Sequence, residues 1–100
     1  MNEFFEELGE RWVAAARRRE AAIEEPSLDP RVALELLELA RVAARTRERR
    51  FAPLSCFMAG VAAERLRMAK PGLDDGAVAD YINEIRRELE AETPDAPNER

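Results

Sequence analysis

The chain contains no histidine. That removes at once the commonest general base and the commonest metal ligand. A single cysteine, Cys56, has no internal disulfide partner, so nothing points to an oxidising compartment. Glycine is scarce, at four residues, and neither Rossmann-type nor P-loop spacing occurs. No apolar run approaches the roughly 18 residues of a membrane span. Bases are outnumbered, 16 against 21 acids, and the net charge of −5 opposes binding to nucleic acid or to an anionic membrane. The opening segment Met1-Asn2-Glu3-Phe4-Phe5-Glu6-Glu7 carries acids where a signal peptide carries bases. These absences predict a cytoplasmic protein without cofactor, metal, nucleic acid or membrane as a partner.

What is present reads as helix. In 100 residues, 46% are hydrophobic and 37% charged, enough apolar content for one small core. Four segments repeat apolar residues every three or four positions, and proline or glycine separates them. The predicted helices cover about 3–24, 30–47, 53–69 and 75–91, as one all-α domain over 1–91 with a flexible tail over 92–100. Short connections predict roughly antiparallel sequential neighbours in a four-helix bundle.

Residue chemistry places the ends and faces. Asn2 is a predicted cap for the first helix, and Pro26 closes it by biasing Glu25 away from helical geometry. Asp29-Pro30 has the form of a cap followed by a first helical residue. The expected inner stripe of the second helix is Leu36, Leu37, Ala40, Ala43 and Ala44, with Glu35, Glu38 and Arg41 opposite. In the third, Leu54, Phe57, Met58, Val61, Ala62 and Leu66 form the stripe, while Cys56, Gly60 and Ala63 lie on a separate strip of small residues. Asp74 or Asp75 caps the fourth, which buries Val78, Tyr81, Ile82, Ile85 and Leu89.

One place resembles a ligand site. Arg45, Arg47, Arg49 and Arg50 precede a helix expected to begin at Pro53, whose first free donors would be the N–H groups of Leu54, Ser55 and Cys56. Arginine forks and open helix N-termini both bind phosphate or carboxylate. Arginines at a helix end also simply favour the dipole and stay solvated. Cys56 at that terminus would have a lowered pKa, although free cysteine more often serves as a small buried apolar residue. The acid pairs Asp74–Asp75 and Asp80–Glu84 suit a cap and an exposed helix surface better than a metal.

The run Leu36-Leu37-Glu38-Leu39-Ala40-Arg41 followed by Ala52-Pro53-Leu54-Ser55-Cys56-Phe57-Met58-Ala59-Gly60 resembles a small helical bacterial domain of unknown function. That domain occurs alone or fused to nucleotidyltransferase-like proteins of molybdenum-cofactor biosynthesis. The resemblance implies a helical accessory domain with a loose link to molybdenum-cofactor metabolism, and implies no activity. The leading expectation is a non-enzymatic accessory or protein-interaction module, with a protein partner or self-association. The alternative is a domain that binds a small anion at the junction of the second and third helices.

Overall fold

The structure, a computed structural model, describes residues 3–92. Among them are four α-helices and no strand: α1 (Glu3–Arg18), α2 (Pro30–Thr46), α3 (Phe51–Ala69) and α4 (Asp75–Ala91). The predicted all-α fold class is therefore observed. Asn2 and most of the expected tail lie outside the described residues. The chain divides into two compact units, 1–30 and 31–100.

In the first unit α1 stops at Arg18, six residues short of the predicted end. The cause is a tight C-terminal closure. The Ala21 N–H donates to the Ala16 carbonyl at 2.9 Å and the Glu20 N–H donates to the Arg17 carbonyl at 2.9 Å, with Glu20 left-handed at φ 62°. This is the Schellman arrangement, whose left-handed position usually holds glycine. The chain beyond it brings Pro26 back beside Gly9, which is buried. An added Cβ on Gly9 would stand 2.7 Å from the Pro26 carbonyl oxygen, so the absence of a side chain permits this return. Phe5, Leu8, Trp12, Pro26 and Leu28 line a cavity of about 170 Å³ there.

The second unit is built on α2, α3 and α4. Leu39, Ala63, Val78 and Ile82 form its centre, with Val32, Leu36, Ala59, Leu73 and Leu89 packed against them. The register of α2 differs from the expected one: Leu39 and Val42 are buried, and Leu37 is 66% exposed. Leucines at 34, 36, 37 and 39 offer two possible inner faces, and a polar contact selects one. Glu35, placed outside by the sequence pattern, accepts from Asn83 Nδ2 at 3.1 Å and from Arg86 at 3.3 Å, which draws that edge of α2 towards α4.

Asp74 is the cap of α4, its carboxylate accepting the Ala77 N–H at 2.9 Å. The neighbouring Asp75 pairs with Arg67 at 2.7 Å. Gly72, at φ 91°, makes the turn before it.

Candidate functional site

Helix α3 begins at Phe51, two residues before the predicted start. A turn prepares it: the Phe51 N–H donates to the Glu48 carbonyl at 3.0 Å and the Ala52 N–H to the Arg49 carbonyl at 3.1 Å. Pro53 consequently sits third in the helix, where its missing donor still costs nothing. Leu54, Ser55 and Cys56 lie one turn in. There, backbone N–H groups point to carbonyls four residues earlier instead of to solvent.

The four junction arginines fall into two groups, two with an acidic partner and two without one among the described residues. Arg50 pairs with Glu48 at 2.7 Å, and Arg47 reaches Glu92 at 3.1 Å and the Thr46 carbonyl at 3.1 Å. Arg45 and Arg49 are exposed and make no ion pair among the described residues. Ser55 and Cys56 are half-buried, and Leu54 points outward. The Cys56 Sγ lies 3.5 Å from the Leu36 carbonyl, to which it donates. Burial pushes this thiol above its ordinary range, the reverse of the lowering expected at a helix N-terminus.

The third helix is the larger correction. Its inner face is the small one, with Ala63 buried and Ala52, Cys56 and Ala59 half-buried. The small side chains pack inward, Ala63 against Val78 and Ile82 of α4 with Ala59 beside them, and Cys56 reaches the Leu36 carbonyl of α2. Gly60 takes no part, having nothing within 4 Å of an added Cβ. Three large residues predicted to be core face outward instead: Leu54 is 61% exposed, Phe57 73% and Met58 71%, and Met68 beyond them is 79% exposed. This helix is thus apolar on both sides, a pattern normally found in helices covered on both sides.

Beside that outer face, α3 and α4 leave an apolar groove of about 270 Å³, floored by Leu39, Ala59 and Ile82 and edged by Met58, Tyr81 and Leu89. A second groove, shared with Phe57, Val61, Arg65 and Leu66, continues it through Met58, Ala62 and Tyr81. Arg65 makes no ion pair among the described residues, whereas Arg67 pairs with Asp75 and, at 3.7 Å, with Glu64.

Among the described residues no three histidine, cysteine or acidic side chains are grouped to hold a metal ion. No helix among them is long and apolar enough to cross a membrane. A family model, a domain of unknown function designated DUF6457, matches residues 6–97. The chain belongs to that family. No curated protein and no solved structure matches it. The DUF6457 match spans both compact units and contains the whole outer face of α3. The sequence pattern identified α3 as amphipathic but assigned its large side to the core, and the only signal against that was the run of small residues at 52, 56, 59 and 63.

Proposed function

We propose that this DUF6457 chain is a non-enzymatic accessory module that acts by contacting protein through the outer face of α3. The observation that carries the reading is the exposure of Leu54, Phe57, Met58 and Met68 along one helix side. Contiguous apolar surface of this kind marks interaction sites on soluble domains. The groove between α3 and α4 extends the same surface without adding converging polar groups that would orient a small substrate. A connection to molybdenum-cofactor metabolism is the finer form of this reading, supported by the family resemblance alone. Of the four junction arginines, Arg45 and Arg49 make no ion pair among the described residues and remain for the small-anion alternative.

The test compares proteins retained from a native lysate by the full chain and by its Phe57→Glu, Met68→Glu double variant, quantified by mass spectrometry. A protein retained stoichiometrically by the first and lost by the second is expected. Identical retention by both would remove α3 as the working surface.

A further inference from the structure

We propose that the outer face of α3 is covered by the same face of a second copy of this chain, the two helices related by a two-fold axis. This rests on the interaction-module reading and names its partner. Two observations carry it.

The first is spacing. Leu54, Val61 and Met68 stand seven residues apart, and Phe57 and Met58 fall between the first two. A seven-residue apolar repeat keeps one seam facing an identical helix, with large side chains of one entering gaps of the other. From Leu54 to Met68 that seam is about 21 Å long at 1.5 Å per residue.

The second is area. At their observed exposures, Leu54, Phe57, Met58 and Met68 leave on the order of 500 Å² of mostly apolar surface per chain, taking about 150–250 Å² for a large side chain. Two copies together reach the roughly 1,000 Å² that separates a stable interface from a casual contact. Val61 and the groove bordered by Tyr81 add to it.

The decisive experiment is sedimentation equilibrium of the full chain over a range of concentrations. The expected mass is twice 11.3 kDa, returning to the single mass in Phe57→Glu, Met68→Glu at unchanged helicity by circular dichroism. If that variant fails to fold, Val61→Lys serves in its place, and Leu37→Glu, exposed on α2, should leave the mass doubled. A wild-type chain that stays at 11.3 kDa at every concentration overturns the second-copy proposal. If the same monomeric chain still loses a bound lysate protein on Phe57→Glu, Met68→Glu, the interaction reading survives it. A doubled mass unaffected by these α3 substitutions also overturns the proposal, because the copies then meet elsewhere.

Discussion

The Arg86 guanidinium on α4 meets the Glu35 carboxylate on α2 at 3.3 Å, with only 16% and 22% of the two side chains exposed. Arg86 also pairs with Glu90 at 3.0 Å. Burial lowers the Arg86 pKa, but hydrogen bonds to Glu90 and Glu35 outweigh it and leave the group above its ordinary value. Its charge is therefore retained, and removing it strands Glu35 in a half-covered position. Arg86→Ala is expected to cost about 1–3 kcal/mol, between an exposed pair and a fully buried one. Urea titration measures it, and a double-mutant cycle with Glu35→Gln should show coupling. Additive losses would mean that the pair does not set the register of α2.

Core truncations separate the observed register from the expected one. Leu39→Ala and Ile82→Ala should each cost about 2–5 kcal/mol, because both are buried at 4% exposure. Leu37→Ala should change stability by less than about 0.5 kcal/mol, as an exposed site does. The opposite ranking in chemical denaturation would restore Leu37 to the core.

How far the fold was legible in the sequence depended on whether one residue type had one meaning. Proline and aspartate did, so α2 began at Pro30 and α4 after the Asp74 cap, as predicted. Leucine on α2 did not, since two stripes were nearly equivalent and long-range contacts of Glu35 chose between them. On α3 the rule that large apolar residues are core failed, because Ala59 and Ala63 fill the core side and the large residues stand on the other. The end of α1 was hidden because glutamate, not glycine or asparagine, occupies the left-handed position. The arginine cluster was legible as a cluster, but Glu48 and Glu92 had already engaged two of its members.

Two backbone substitutions in the first unit should move stability in opposite directions. Glu20→Gly removes the penalty of a left-handed β-carbon and should stabilise by about 1 kcal/mol. Gly9→Ala must displace the Pro26 carbonyl, which an added Cβ approaches at 2.7 Å, and should destabilise by about 1–3 kcal/mol. Hydrogen exchange of amides in α1 reads both effects locally. Equal exchange in Gly9→Ala and the parent chain would show that the return of Pro26 is not fixed.

Cys56 should behave as a packed thiol. Because burial raises its pKa in the folded chain, the folded state holds the proton more tightly than the unfolded one. The resulting stabilisation is fully present below the unfolded thiol pKa and is lost as pH rises through the raised folded value. Alkylation by iodoacetamide at neutral pH should be slower in the folded chain than in urea. Faster reaction when folded would indicate an activated thiol and contradict this placement.

Site-directed cross-linking tests the outer face of α3 most directly. In a Cys56→Ser background, Leu54→Cys, Val61→Cys and Met68→Cys each supply one thiol, and a short bismaleimide spans the roughly 8–10 Å between packed helices. A covalent dimer is expected above all from Val61→Cys, which stands midway along the seam, where two copies of the helix related by a two-fold axis come together. A thiol at Arg87, exposed on α4, should give none. Cross-linking at none of the three seam positions would contradict the covered face itself.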